Sequence, residues 1–279
     1  MTRLLLAYDG SAAATTAIDA AAALFGGSEA VIATVQPPVP TFEAAALARI
    51  ALPDAMIRDG VAHLRTEHEQ LGETLVAAGE AAARAAGLRA SSSVVEGASP
   101  WRALRALAAE DDVDIVVCGT RGDGALQRAL VGSTAAGLLH HGHRPLLVVP
   151  GAADRPEGPI LAGYDASEPA RGALRFAATH LRTREVVVAH ARRGFWEPTG
   201  EDVADTGAAY ARALGLAATP RTLDTLRDAA GELLVGARAI DAAAILVGSR
   251  GHGAVAAAML GSVATALVHA AERPVLVVR

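Results

Sequence analysis

The chain repeats its own pattern once, and this duplication limits the folds that it can adopt. Residues 3–35 align without gaps with residues 159–191, at an offset of 156 residues. The two halves align again from Gly119 and Gly248 onward, at an offset of 129 residues. A repeat of this length in a chain of 279 residues predicts two copies of one domain.

Within each half, short apolar runs alternate with alanine- and arginine-rich stretches of helical character. The apolar runs are mostly Val, Leu and Ile, which is typical of strands that are covered on both faces. This alternation predicts an α/β fold in which each half forms a doubly wound, five-stranded parallel sheet of the Rossmann-like type. We place the two domains at residues 1–150 and 159–279, joined by a linker at residues 151–158.

A glycine motif recurs near the end of each half. The first copy is Gly119–Gly122, followed after nine residues by Gly132–Thr134. The second copy is Gly248–Gly251, followed after nine residues by Gly261–Val263. We expect the first glycines to let the backbone approach a ligand closely, and the Gly-Ser pair to expose N–H groups at a helix start, where the dipole favours an anion. The motif therefore predicts a phosphate site in each half.

A second loop should meet this motif, because ligands of open parallel sheets bind beyond the carboxyl ends of the strands. Asp9–Ser11 follows the first strand of the first half, and Asp165–Ser167 follows the matching strand of the second. We expect the aspartate of each loop to bind a ribose hydroxyl, an adenine edge or a metal ion through water. The serine of each loop should act mainly as a helix N-cap.

The composition excludes several functions. All 25 basic residues are arginine, so a P-loop lysine, a Schiff base and a lysine general base are excluded. Phosphate charge must then be met by backbone N–H groups, arginine or a metal ion. Arg121, Arg128 and Arg250 are candidates, with solvated loop arginines as the alternative. The net charge of -5, without a basic block, argues against a nucleic-acid partner.

The sequence predicts a cytoplasmic protein. No apolar run reaches the roughly 18 residues of a membrane span, and the apolar stretch at the start is too short for a signal peptide. The single cysteine, Cys118, excludes an internal disulfide, fits a reducing compartment and is expected to be buried and inert. The histidines at positions 140, 141 and 143 form a cluster that the second half does not share, because only His269 stands at the corresponding positions, so we predict no metal site there.

The first half carries 27 more residues than the second between its second strand and its glycine motif, within residues 36–79. We predict a loop and a lengthened helix in this segment. Two roles remain open: a lid over the site, or a surface helix pair with no part in binding.

These motifs resemble those of the universal stress protein family. The resemblance rests on Gly-x-x-Gly-x9-Gly-Ser after an apolar strand, Asp-Gly-Ser after the first strand, and the closing run Arg-Pro-Leu-Leu-Val-Val-Pro. It extends over nearly the whole chain as two copies. The resemblance implies two domains of the adenine-nucleotide alpha-hydrolase-like fold, which hold ATP, AMP or another adenine nucleotide, with or without Mg²⁺.

The resemblance also implies the site residues: the motif glycines and serine would contact ribose and phosphates, the first loop would lie near adenine and ribose, and Val35 would pack at the base. The first-site candidates are Ala7, Tyr8, Asp9, Val35, Gly119, Thr120, Arg121, Gly122, Gly132, Ser133 and Thr134. The second-site candidates are Gly163, Tyr164, Asp165, Ala191, Gly248, Ser249, Arg250, Gly251, Gly261, Ser262 and Val263.

Two departures predict that the second pocket differs from the first in shape or affinity. The loop Asp224–Ala229 lacks the glycine of its counterpart Gly97–Pro100. In addition, His190 and Ala191 stand where the first half has Thr34 and Val35.

We expect an ATP-binding regulator or sensor of the stress response, with little or no turnover and an unidentified protein partner. No Ser/His/Asp or Cys/His arrangement and no general base beside the motif are evident. A slow Mg²⁺-dependent ATPase or phosphotransferase, with Asp9 or Asp165 anchoring the metal ion, remains an alternative. A protein-interaction scaffold with vestigial pockets is another.

The last strand of each half, Arg144–Val149 and its twin ending at Arg279, would leave an apolar sheet edge exposed. Pairing these edges within one chain predicts an intramolecular pseudo-dimer. Further association of two chains into a homodimer stays open.

Overall fold

The structure is a computed structural model of the chain. It describes residues 1–39, 54–120, 131–151, 157–193, 200–225, 228–251 and 260–279.

Strands and helices alternate in both halves, as the apolar runs predict. The first half contains β1 (Arg3–Ala7), α1 (Ala12–Phe25), β2 (Glu29–Gln36), α2 (Asp54–Ala85), β3 (Arg89–Glu96), α3 (Pro100–Glu110), β4 (Ile115–Gly119), α4 (Ser133–His141) and β5 (Leu146–Val149). The second contains β6 (Ile160–Gly163), α5 (Glu168–His180), β7 (Val186–Arg193), α6 (Gly200–Ala213), β8 (Ala218–Thr225), α7 (Ala229–Ala239), β9 (Ala244–Gly248), α8 (Ser262–Ala270) and β10 (Val275–Val278).

The ten strands form one continuous sheet in the order β3-β2-β1-β4-β5-β10-β9-β6-β7-β8. Neighbouring strands run parallel within each half. The halves join where β5 and β10 pair antiparallel, with Leu147 opposite Leu276. The predicted α/β class, the five parallel strands in each half and the pairing of the two last strands are confirmed.

Helices cover both faces of the sheet. The core on one face contains residues of α1, α2, α5 and α6, and the core on the other contains residues of α3, α4, α7 and α8. Because side chains alternate along a strand, Leu4 and Leu6 of β1 enter the first core and Leu5 enters the second. This two-sided burial explains why the strands are continuous apolar runs.

The first helix of each half is capped as predicted. The Ser11 Oγ accepts a hydrogen bond from the Ala14 N–H at 3.2 Å, and the Ser167 Oγ accepts one from the Ala170 N–H at 3.3 Å. These caps fix the point where the chain leaves the first loop and enters the helix.

The extra residues of the first half lengthen its second helix. α2 has 32 residues, whereas its counterpart α6 has 14. The lengthened helix is thus confirmed, while residues 40–53, where the predicted loop falls, lie outside the described residues. None of the helices that the structure describes, α2 included, has both the length and the hydropathy of a membrane span.

Polar contacts also join the halves beside the β5–β10 pair. The Arg184 guanidinium donates to the backbone carbonyl of Ala23 in α1 at 2.7 Å and to that of Glu157 at 2.7 Å. The Thr2 Oγ1 lies 2.9 Å from the His180 Nδ1 at the end of α5. The two domains therefore share hydrogen bonds as well as a sheet.

His180 makes this junction sensitive to acid. Burial lowers its pKa from 6.5 and outweighs the opposite effect of the Asp114 carboxylate. A lowered folded-state pKa means that the folded protein binds this proton less readily than the unfolded chain does. The contribution of neutral His180 to the free energy of unfolding is therefore fully present above about pH 6.5. It is lost as the pH falls through the folded-state pKa of this histidine.

We expect His180→Gln to flatten the loss of unfolding free energy between pH 7.5 and 5, measured by urea denaturation at each pH. His269→Gln, which changes an exposed histidine, is the control and should follow the wild type. Equal pH dependence in wild type and His180→Gln would contradict this assignment.

Candidate functional site

A cavity of about 600 Å³ opens at the carboxyl ends of β1, β2 and β4. It brings together the nine first-site candidates that the structure describes. These are Ala7, Tyr8, Asp9, Val35, Gly119, Thr120, Gly132, Ser133 and Thr134. The other two, Arg121 and Gly122, lie outside the described residues, as does Arg128.

The strand order explains why these loops meet. β1 and β4 are neighbours, with Leu6 opposite Val117, although two strands separate them in sequence. This is the switch point of the first half, where the connections after adjacent strands diverge and leave a crevice. The loop that carries Asp9 and the loop that begins at Gly119 therefore face each other across it.

The first glycine of each motif is required by packing between a strand and a helix. A Cβ on Gly119 would lie 3.0 Å from the backbone of Ala13 in α1, and one on Gly248 would lie 2.6 Å from the carbonyl carbon of Pro169. The sequence suggested that these glycines make room for a ligand. In the structure they make room for the first helix, which brings the helix start close to the end of the strand.

The Gly-Ser pair of each motif opens a helix that lacks a side-chain cap. Gly132 is the N-cap of α4 and Gly261 is the N-cap of α8, and neither cap has a side-chain hydrogen bond. Backbone hydrogen bonds hold each cap against the end of the strand. The Gly132 N–H donates to the Thr120 carbonyl, and the Gly261 N–H donates to the Ser249 carbonyl at 2.8 Å. The first turns of α4 and α8 thus present backbone N–H groups and the positive end of the helix dipole.

The aspartate of the first loop is held by its own turn. In the first half the Asp9 Oδ1 accepts from the Ser11 N–H at 3.1 Å, and in the second the Asp165 Oδ1 accepts from the Ser167 N–H at 3.0 Å. Gly10 has a left-handed backbone with φ +80, and Ala166 takes the matching conformation with φ +63. The second half therefore keeps the turn although it has no glycine there.

The second-site candidates occupy the same places in the fold as their first-half counterparts. Gly163 ends β6, Ala191 lies in β7, and Gly248 ends β9 next to β6 in the sheet. A Cβ on Gly251 would lie 2.6 Å from the Asp165 Oδ2, so the first loop and the glycine motif meet here as well. The remaining candidates flank these positions: Tyr164, Ser249, Arg250, Gly261, Ser262 and Val263.

Different side chains hydrogen-bond to equivalent backbone carbonyls in the two halves. The buried Thr34 Oγ1 donates to the Tyr8 carbonyl at 2.8 Å, whereas the His190 Nδ1 bonds the Tyr164 carbonyl at 2.9 Å. Because a carbonyl only accepts, the His190 Nδ1 must carry the hydrogen. The imidazole of His190 is larger than the threonine side chain and partly exposed, so the second half presents a different surface at this point.

Several residues of the cavity wall escaped the sequence analysis. α2 and the end of β2 contribute His68, Leu75 and Gln36, and α3 contributes Leu104. The repeat could not identify His68, because the gap-free alignment of the two halves does not extend to this part of α2. Cys118 also reaches the wall; burial raises the pKa of its thiol to about 12, which keeps it protonated and inert, as predicted.

The histidine cluster of the first half packs against aromatic and arginine side chains. The His141 ring stacks on Trp101 at a centroid distance of 4.8 Å, and His143 contacts Arg105. Across the described ranges, no group of three or more His, Cys, Asp or Glu residues is placed to hold a metal ion.

A glycine in the second helix of each half seats the tyrosine that follows the first strand. A Cβ on Gly79 would lie 2.7 Å from the Tyr8 ring, and one on Gly207 would lie 2.5 Å from the Tyr164 ring. The added Cβ would also meet a side chain of the neighbouring strand, Ile32 for Gly79 and Val188 for Gly207. The repeated contact sets the distance between the helix and the first loop.

We expect Gly79→Ala to lower the free energy of unfolding by about 1–3 kcal/mol, because the added methyl group overlaps the Tyr8 ring in a packed core. Gly60→Ala on the same helix has open space around the new Cβ and should raise it by about 0.5–1 kcal/mol. Urea denaturation of both variants tests the contact; a stabilised Gly79→Ala variant would contradict it.

Comparison with known proteins places these features in a family. Both halves match the model of the universal stress protein family, over residues 1–150 and 158–279. A universal stress protein of Mycolicibacterium smegmatis is 32% identical over 186 residues, which cover 61% of this chain and 63% of that protein. The chain thus spans somewhat less than two thirds of the length of the curated relatives that it matches.

Solved structures share the architecture. A universal stress protein from Archaeoglobus fulgidus DSM 4304 aligns with 99% of this chain and 98% of its own, at 20% identity and a TM-score of 0.73, which shows a common fold. Another from Archaeoglobus fulgidus, in complex with dAMP, is 25% identical and covers 44% of this chain and 98% of its own, with a TM-score of 0.38.

Proposed function

Because the chain belongs to the universal stress protein family, we propose that it binds an adenine nucleotide, ATP or AMP, at the glycine motif of each half. The observation that carries this proposal is the start of α4. Its N-cap has no side-chain hydrogen bond, and Gly132, Ser133 and Thr134 line the cavity that Asp9 closes on the opposite loop. A volume of about 600 Å³ also falls within the usual range of small-molecule sites.

The phosphates would bind at the N-terminal turn of α4, where backbone N–H groups and the helix dipole supply the charge that lysine supplies elsewhere. The nucleoside would extend from there towards Asp9 and Val35. In the second half, α8 and Asp165 offer the corresponding groups, with His190 at the wall.

We propose that the bound nucleotide regulates an interaction with a protein partner and is turned over slowly, if at all. The ionisable side chains among the described residues of the cavity wall are Tyr8, Asp9, His68 and Cys118. Asp9 accepts a hydrogen bond within its own loop, and the Cys118 thiol stays protonated. His68 comes from α2, which packs on the opposite face of the sheet from α4. This wall supports binding better than general-base catalysis at the phosphates.

The binding proposal is tested by isothermal titration calorimetry with AMP and ATP, with and without Mg²⁺. We expect up to two sites in the wild type. Gly132→Val should weaken binding at the first site roughly 100-fold, because a branched side chain displaces phosphate from at least one charge-assisted hydrogen bond. Gly261→Val should do the same at the second.

Each single variant serves as the control for the other, and thermal melting verifies that both remain folded. The proposal fails when the folded wild type binds neither nucleotide, or when the double variant binds as the wild type does. In the latter case the motif would be vestigial.

A slow Mg²⁺-dependent ATPase is the second candidate, because Asp9 lines the cavity and its carboxylate suits a hydrated cation. Asp9→Asn keeps an oxygen for the Ser11 N–H but removes the charge. We expect the wild type and Asp9→Asn to release phosphate from ATP at the same low rate. Measurable turnover that Asp9→Asn abolishes would favour the enzyme over the regulator.

A further inference from the structure

The long helix of the first half reaches the cavity through His68. Gly79 of α2 and Gly207 of α6 hold equivalent positions, yet α6 begins at Gly200 and α2 begins at Asp54. The additional turns of α2 therefore precede Gly72. His68 lies in these turns and lines the cavity. No described residue of α6 corresponds to these turns, so the structure shows this contact for the first site alone.

The end of β2 holds His68 in place. The Gln36 Nε2 donates to the backbone carbonyl of His68 at 2.8 Å. A Cβ on Gly72 would overlap the amide of Gln36, so the glycine lets this side chain lie flat against α2. Because Gln36 follows Val35 in β2, the bond fixes His68 beside the strand end where the nucleoside is proposed to bind.

The imidazole of His68 has unused hydrogen-bonding capacity. Its Nε2 is shielded from solvent and has no hydrogen-bond partner in the described part of the chain. A buried nitrogen in this state costs free energy and is expected to gain a partner when one is available. A nucleotide base in the adjoining cavity presents both donors and acceptors along its edge.

The charges around His68 indicate which end of a nucleotide would lie there. On its other side, a neighbouring cavity of about 260 Å³ is lined by Glu69, Glu73 and Glu96, together with Arg65. Three carboxylates against one guanidinium disfavour a phosphate at this end. The uncapped start of α4, a helix on the opposite face of the sheet from α2, favours one.

We propose that His68 reads the purine base at the first site: its Nε2 turns into the cavity and hydrogen-bonds the base edge, while Gln36 positions it through the backbone bond. This inference rests on the proposed nucleotide binding. The additional turns of α2 are then a specificity element, and the two sites differ in how they recognise the base.

The experiment compares AMP with ribose 5-phosphate, which lacks the base, in calorimetric titrations of a Gly261→Val background that leaves the first site. His68→Ala should weaken AMP binding about five- to tenfold, the usual loss for one hydrogen bond, and leave ribose 5-phosphate unchanged. His68→Gln, which retains a donor and an acceptor, should stay within about twofold of the background. His63→Ala, an exposed histidine of the same helix, is the matched control and should bind AMP as the background does.

A second measurement needs no change at position 68. The ring nitrogen signals of His68 in a ¹⁵N NMR spectrum should shift on addition of AMP and stay in place with ribose 5-phosphate. Unchanged AMP affinity in His68→Ala overturns the inference while nucleotide binding stands. An equal loss for both ligands overturns it too, because it places the contact away from the base. A background protein that binds neither ligand, while the wild type also fails to bind AMP, removes the proposed function itself.

Discussion

The adjacency of β1 and β4 is the constraint on which the site depends. The two strands pair although β2 and β3 separate them in the chain, so their carboxyl ends open onto a common crevice. The close contact between Gly119 and Ala13 then draws α1 against the end of β4. As a result, the loop of Asp9 and the start of α4 meet across a cavity. The second half repeats the arrangement with β6, β9 and the contact between Gly248 and Pro169.

The two halves place different side chains at equivalent positions of the same scaffold. Thr34 and His190 bond equivalent carbonyls with side chains of different size. The entry to the following helix differs as well: Asp228 caps α7 by accepting from the Gly231 N–H at 2.8 Å, whereas Ser99 makes no side-chain cap to α3. These differences leave unchanged the first turns of α4 and α8, whose N–H groups suit an anion. They should therefore alter the recognition of a nucleoside more than the binding of phosphate.

Much of the fold follows from the sequence because its determinants are local or repeated. The continuous apolar runs predicted parallel strands that are buried on both faces. Ser11 and Ser167 predicted the starts of the helices that they cap, and the apolar last strands predicted the β5–β10 pair. The grouping of the nine described first-site residues also follows, since the repeat tied each glycine motif to one Asp loop. Whether these residues bind a nucleotide stays a prediction.

Two aspects of the site depended on tertiary contacts that no motif records. Gly119 was expected to make room for a ligand, but its missing side chain makes room for α1. His68 lies in a segment that the gap-free alignment of the two halves does not reach, and the packing of α2 against the end of β2 brings it to the cavity. The difference in length between the halves was the signal for that segment, and length alone does not indicate which residue of a helix faces a cavity.

A crystal structure of the full chain grown with saturating AMP tests the central claim most directly. The account predicts a nucleotide in the first-half cavity, with its phosphate on the backbone N–H groups of Ser133 and Thr134 and its base between Val35 and His68. An empty cavity at saturating AMP, or a nucleotide bound with its phosphate at the His68 end, would contradict it.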